Sequence, residues 1–293
     1  MGAMTPVVDM RPMLPDDAVA CEEVWRAAFT SMRRAYHLPA HSDDDAARER
    51  FRRRIQLMCG TDPGGSWVAT DNDVITGFAQ AVKRERLWVL SLLAVAVDHQ
   101  GRGVARRLME RALAYGGGDG PGLIMSSRDP RAMHRYVQAG FALHPAMAAF
   151  GSLRRDRLFP TPHVRVGGTD DLDLVADVDR HVRGSAHGPE LQWMLDMGCH
   201  LLVVPGRGYA LTRATGIALL AAVDEDTAAA LFVAGLAATP EGAVVDVNWM
   251  TASQQWAIRL CTHLGLELMP VGAVMVRERP GPLVPYLPSG AYG

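Results

Sequence analysis

The chain has 293 residues, 48% of them hydrophobic, which suffices for one large or two ordinary folded domains. Its formal charge of -2 excludes a global electrostatic reason to bind nucleic acid or an anionic membrane, and with Lys83 the single lysine, nearly all positive charge is arginine. Cys21, Cys59, Cys199 and Cys261 form no CxxC pair, so neither a disulfide scaffold nor a metal site is expected, and a reducing cytoplasm fits best.

The longest apolar runs, 87–97 and 228–238, reach about half of the ~20 residues a bilayer-spanning helix needs. Met1-Gly2-Ala3 reads as a remnant ahead of a native Met4, since it has neither a basic segment nor a long apolar one. A short strand is expected at 7–12. Pro15-Asp16-Asp17 then opens a helix to about Arg34, with its acids suited to the helix dipole. The segment 37–45 precedes a second, arginine-rich helix to about Met58. Gly64-Gly65 and Asn72-Asp73 punctuate a hairpin, 67–70 against 74–82, and 87–97 reads as a buried strand. A glycine-containing turn leads into an amphipathic helix closed by Gly116-Gly117-Gly118. A strand at 123–126, a helix at 130–139 with proline at its start, and strand material after Gly140-Phe141 complete the first half. Strands adjacent in sequence make this a mixed α/β (α+β) fold with a mostly antiparallel sheet.

The chain also resembles itself. Ala132, Gly140, Leu143, Pro145 and Ala148 recur 125 residues later as Ala257, Gly265, Leu268, Pro270 and Ala273. Arg11, Asp16, Asp17, Val24 and Arg26 recur at a shift of 154 as Arg165, Asp170, Asp171, Val178 and Arg180, and Gly77-Phe78-Ala79 is answered by Gly208-Tyr209-Ala210. Shared offsets over mixed residue types imply two tandem copies of one domain, 5–158 and 162–293, joined at Pro160-Thr161-Pro162.

The turn from Gln100 to Ala105 sits between a strand and a helix, where spare backbone N–H groups and the helix dipole favour an anion. Gly101 and Gly103 let a ligand approach the backbone, while Arg102, Arg106 and Arg107 can reach its periphery. A Rossmann turn would need a third glycine where Arg106 stands, and no Gly-Lys-Ser/Thr supplies a P-loop. What fits is Gln100-x-x-Gly103-x-Ala105, the acyl-CoA pyrophosphate loop written Arg/Gln-x-x-Gly-x-Gly/Ala. Here the sequence resembles the GNAT superfamily of N-acetyltransferases. Residues 93–103 are similar to that family's fourth strand and turn, with Val97 in place of its common proline. Asp129-x-x-Ala132-x-x-x-Tyr136-x-x-x-Gly140-Phe141 is similar to its later Asn-x-x-Ala…Tyr-x-x-x-Gly-Phe segment, with Asp129 replacing the asparagine that contacts pantetheine.

The resemblance implies two tandem GNAT-like domains and acetyl-CoA as cofactor, with the thioester attacked directly by a neutral amine. It assigns Val95, Ala96 and Val97 to the strand that holds pantetheine by strand addition. Gln100, Gly101, Arg102, Gly103, Val104, Ala105 and Arg106 become the phosphate cradle, Asp129 a pantetheine neighbour, and Tyr136 the general acid for the departing thiolate. In the second copy Asp224-Glu225-Asp226 stands where the loop should be, which implies a single cofactor site in the first copy. No base is evident: the fourth strand offers only Ser91, and His37, His41, His99 and His134 compete with water for the role. The terminal 288–293 segment, free of charged side chains, reads either as a frayed tail or as an ordered strand whose carboxylate reaches the first domain. Tyr36, His37, His41 and Asp43-Asp44-Asp45 fall where the family's acceptor binds, though Ser42 and the acids also read as a helix start. The expected acceptor is a primary amine, on a small molecule rather than a protein lysine. The alternatives are a non-enzymatic acyl-CoA sensor or scaffold and a protein lysine acetyltransferase. The second copy is expected to shape the acceptor cleft or an oligomer interface such as a homodimer.

Overall fold

The computed structural model describes residues 8–37 and 44–293, so the expectations that fall on Val7, His41, Ser42 and Asp43 lie outside the described residues. In chain order the elements are β1 (Asp9–Pro12), α1 (Ala18–Ala35), α2 (Asp45–Thr61), β2 (Ser66–Asp71), β3 (Val74–Arg84), β4 (Leu87–Val95), α3 (Val104–Gly116), β5 (Gly122–Ser126), α4 (Pro130–Gln138) and β6 (Ala142–Ser152). The same order of strands and helices then recurs. It runs β7 (Arg165–Val166), α5 (Leu172–Arg183), α6 (Pro189–Asp196), β8 (His200–Val204), β9 (Gly208–Arg213), β10 (Gly216–Ala222), α7 (Glu225–Ala237), β11 (Val244–Met250), α8 (Gln255–His263) and β12 (Glu267–Arg277), followed by a short β13 (Tyr286–Leu287).

Contacts group the chain into two compact units, Met1–Lys83 with Trp88–Gly120, and Arg84–Leu87 with Pro121–Gly293. This boundary differs from the repeat boundary expected between 158 and 162. The reason is an exchange of strands. Within the second unit β12, from the second copy, lies between β5 and β6, while β6, from the first copy, lies between β12 and β11. The two long strands pair antiparallel, with Ala146 opposite Gly272 and Met147 opposite Pro270. Gly272 is the counterpart of Met147 at the 125-residue shift, so the strands cross about the point where each meets its own equivalent.

In the first unit β1, β2, β3 and β4 are neighbours in that order, with β1–β2 and β2–β3 antiparallel. The arginine-rich character of α2 has a structural use: Arg48 and Arg52, with Arg26 of α1, surround the buried carboxylate of Glu22, Arg52 at 2.9 Å and the others at 3.3 Å. Burial pushes the Glu22 pKa up, but hydrogen bonds from Arg52 and Arg48 outweigh it and hold the carboxyl below its ordinary range. Asp62, fully buried at the end of α2, accepts from the Tyr115 hydroxyl at 2.9 Å and the Lys83 amide at 3.0 Å, tying α2, α3 and β3 together.

The second unit's sheet runs β5-β12-β6-β11-β10-β9-β8-β7. Its core packs α7 and α8 on the sheet, with Phe232 and Trp256 edge to face at 5.8 Å. β10 and β11 are parallel and share one registered pair, Gly216 with Asp246. β13 pairs antiparallel with β10 through Leu220–Leu287 and Ala221–Tyr286. The terminal segment is therefore ordered: Tyr292 is buried, and Arg183 donates to its carbonyl at 3.0 Å. His187 bridges the Gly293 carbonyl, at 3.1 Å, and the buried carboxylate of Asp179, at 2.7 Å.

Candidate active site

In the first unit β4 ends at Val95, two residues short of the expected strand. The Ala96 amide donates to Thr76 at 2.8 Å, and residues 97–99 form a single 3-10 turn that leaves Val97 exposed. Of the expected strand segment Val95 lies in β4, Ala96 keeps one backbone bond to β3, and Val97 has left the strand. Gln100 folds back, its Nε2 donating to the Val95 carbonyl at 3.0 Å, and so fixes the loop to the end of the strand. Sequence reasoning identified Gln100 by motif; its anchoring contact needs the turn to be built first.

Gly101 and Gly103 have φ of 78° and 83°, the left-handed region in which a β-carbon is strained, and Gly103 is the residue that starts α3. The first helix-closing bond runs from the Arg107 amide to the Gly103 carbonyl. The N–H groups of Val104, Ala105 and Arg106 precede it and have no carbonyl one turn back to bond, leaving an anion-binding end. No acid lies in the first turn of α3, and Asp98 is paired to His99 at 2.9 Å. Arg102 is exposed and Arg106 lies 3.9 Å from Glu110, so both are on hand for phosphate oxygens. Arg107 is not: its guanidinium donates to the Val8 carbonyl. On these grounds the loop fits a pyrophosphate.

Helix α3 is held close to the sheet because β3 carries glycine where the helix crosses it. A β-carbon at Gly77 would meet the Ala94 oxygen at 3.0 Å and Leu108 Cδ1 at 3.2 Å. Its counterpart Gly208 would meet Ala222 Cβ at 2.8 Å and Leu231 Cδ1 at 2.9 Å. Both copies therefore use the same close approach of strand and helix. The helix starts differ. In the second copy the Asp224 carboxylate itself accepts from the Thr227 amide at 2.9 Å, so the acids expected to repel an anion also cap the helix internally. Gln254, the counterpart of Asp129 at the 125-residue shift, donates its side-chain amide to the Leu283 carbonyl at 2.8 Å.

In the second unit Asp129 caps α4, accepting from the Arg131 amide at 2.9 Å and pairing with the Arg131 guanidinium at 2.9 Å. Tyr136 is 6% exposed on α4, and among the described residues its hydroxyl has no hydrogen-bond partner. Burial, with a smaller contribution from the Asp129 charge, raises its pKa well above the ordinary phenol value. The group is a proton-bearing phenol at neutral pH.

The candidate bases divide. His99 sits between Asp98, 2.9 Å from Nδ1, and Asp71, 3.3 Å from Nε2. The hydrogen bond to Asp98 raises its pKa, burial opposes that by less, and the hydrogen bond to Asp71 adds to the rise, so the net shift favours the charged ring. His37 and His134 are exposed. Ser91, in the middle of β4, is 9% exposed and its hydroxyl has no partner among the described residues.

Comparison with known proteins assigns the loop and the α4 segment to one family. The family model described as "Acetyltransferase (GNAT) family" matches residues 23–141, which include both. Residues 23–141 are a GNAT acetyltransferase domain. Acetyl-CoA is the donor of that family. The GNAT domain's chain is 27% identical over 143 residues to the spore coat polysaccharide biosynthesis protein SpsD of Bacillus subtilis (strain 168), an overlap of 49% of this chain and 44% of that one. The chain thus spans less than half the length of that curated relative. In structure it is similar to a putative acetyltransferase from Pyrococcus horikoshii, with TM-score 0.79, 15% identity, and coverage of 100% of this chain and 98% of that chain. It is also similar to a tandem GNAT protein from the clavulanic acid biosynthesis pathway, with TM-score 0.55, 13% identity, and coverage of 92% and 98%. The GNAT fold, in tandem, is the architecture of this chain. Among the described residues no helix is long and apolar enough to cross a membrane.

Proposed function

We propose that the chain transfers an acetyl group from acetyl-CoA to the primary amine of a small molecule, using one cofactor site that belongs to the first copy. The observation that carries this reading is the uncapped start of α3, with two left-handed glycines, no first-turn acid and two accessible arginines. In this reading Gln100 and Gly101 fix the loop, the amides of Gly103 to Arg106 bind phosphate oxygens, and Arg102 and Arg106 offset their charge. The end of β4 from Val95 through Ala96 to Val97 lies along the pantetheine. Asp129, whose carboxylate is engaged by Arg131, positions α4 and does not donate to the cofactor. Bound acetyl-CoA supplies the activated thioester. Tyr136 holds the proton that the sulfur must receive when the C–S bond breaks, and the proton lost by the attacking amine leaves through water or a neighbouring side chain.

The repeats 5–158 and 162–293 then differ in use. The second copy meets its own chain at three features that would serve a cofactor: Asp224 at the helix start, β13 on the β10 edge, and the Leu283 carbonyl on Gln254. The engagement of Asp129 by Arg131 favours one rival, a chain that binds acyl-CoA without turnover. Acetyl-CoA incubated with a panel of small primary amines and with lysine peptides separates the readings. Free thiol should appear in step with an N-acetyl product for at least one small amine. Tight binding with no thiol release would support a sensor, and turnover confined to peptides a protein lysine acetyltransferase.

A further inference from the structure

A cavity of about 520 Å³ lies within the second unit, and none of the residues assigned above to the cofactor loop or the β4 end, nor Tyr136, lines it. Its volume falls in the range of small-molecule sites, roughly 300–1,000 Å³. The exchange of strands builds its floor. Met125, Val274 and His144 stand in one row across β5, β12 and β6, and Leu123, Val276 and Ala142 in the next. One face of three adjacent strands thus presents five apolar side chains and one imidazole.

Its walls are shaped by unusual backbone. Trp249, Glu278, Arg279 and Leu283 line the cavity with φ of 65°, 52°, 40° and 54°. They are half of the eight non-glycine residues with positive φ among the described residues. A tryptophan or leucine in that region is strained, and such residues persist where the surroundings fix them and tend to gather at binding sites. The Trp249 indole is held by the terminal segment, since a β-carbon at Gly290 would come within 3.1 Å of its Nε1. The charged lining is net positive, Arg277 and Arg279 against Glu278. The Arg277 guanidinium lies over the Phe141 ring, its Cζ 4.8 Å from the centroid, and exposed Arg279 forms no ion pair among the described residues. An apolar floor, a fixed indole and arginines to one side match a flat apolar body that carries an anionic group.

We propose that this cavity binds a small aromatic carboxylate, with its ring between Trp249 and the strand floor and its carboxylate toward Arg279 and Arg277. Because none of the residues proposed for acetyl transfer lines the cavity, binding there is part of the proposal as an event separate from that transfer.

Ligand-observed NMR and calorimetry on the full chain, with indole-3-propionate and 4-phenylbutyrate as probes and tryptamine as the cationic control, test the proposal. Both carboxylates should bind with submillimolar affinity and tryptamine at least about tenfold more weakly. Arg279→Glu, which reverses an exposed charge, and Ser253→Trp, which obstructs the lining at another exposed position, should each weaken carboxylate binding about tenfold or more while leaving acetyl-CoA affinity unchanged. Absence of binding, equal affinity for tryptamine, or carboxylate affinity unmoved by both substitutions overturns it. Acetyl-CoA affinity is read on the same samples, so failure here is distinguishable from failure of the proposed acetyl transfer.

Discussion

At the residue scale, the repeat detected by spacing is physically a repeated ion pair. Arg11 grips Asp17 with a fork at 2.7 and 2.8 Å while the Leu14 amide donates to the same carboxylate. In the second copy Arg165 grips Asp171 at 2.9 and 2.6 Å while the Gly168 amide does likewise. The hydrogen bond from the arginine, chiefly, holds each aspartate below its ordinary pKa. A depressed folded pKa contributes stability above the unfolded value, about pH 4, that is lost as pH falls through the folded value. Arg11→Met and Arg165→Met should therefore lower the melting temperature at pH 7 and reduce its further fall below about pH 4; parallel curves for wild type and variants would contradict the assignment. In the proposed reading Tyr136 is the proton donor to the departing thiolate. Tyr136→Phe should lower kcat by about 10²-fold or more and leave acetyl-CoA affinity within about twofold, and an unchanged kcat would remove its role as proton donor.

At the element scale, most of the first copy was legible in the sequence because hydrophobic period and glycine or proline punctuation agree: the hairpin at Asn72-Asp73, the proline start of α4 and the glycine stop of α3 fall where expected. The misses share a cause. β4 stops at Val95, with one last bond from the Ala96 amide to Thr76 of β3, because the chain then winds into the 3-10 turn at Val97–His99, which the apolar run does not announce. β13 is two residues long and bounded by Pro285 and Pro288, so no periodicity announces it; only the unpaired edge of β10 makes it a strand. The exchange of β6 and β12 was equally hidden, since register across strands over 100 residues apart depends on which edges are left open. Leu287 is 2% exposed in the second unit's core. Leu287→Asp should destabilise the fold by about 3 kcal/mol or more through an unpaired buried charge. Thermal melting should show that loss, and below the melting point acetyl-CoA affinity should stay at the wild-type value; weakened cofactor binding would place β13 in the cofactor site.

For the whole molecule, the sequence carried the family through residue types at short spacing, and the tandem arrangement through mixed residue types that recur at constant shifts of 125 and 154 residues. It could not carry the compact units, which divide at Gly120–Pro121, because they follow strand exchange and not repeat length. It could not show how the second copy uses its own chain, where Asp224, β13 and Leu283 meet positions whose counterparts in the first copy are free of them. The central claim is one acetyl-CoA site per chain, built on the Gly103 turn. Calorimetric titration of acetyl-CoA onto the wild-type chain and onto Gly103→Val tests it most directly. The account predicts one equivalent bound per chain and affinity about tenfold or more weaker in the variant, since a β-branched residue is strained at this φ. Two equivalents per chain, or one equivalent bound as tightly by the variant, would contradict it.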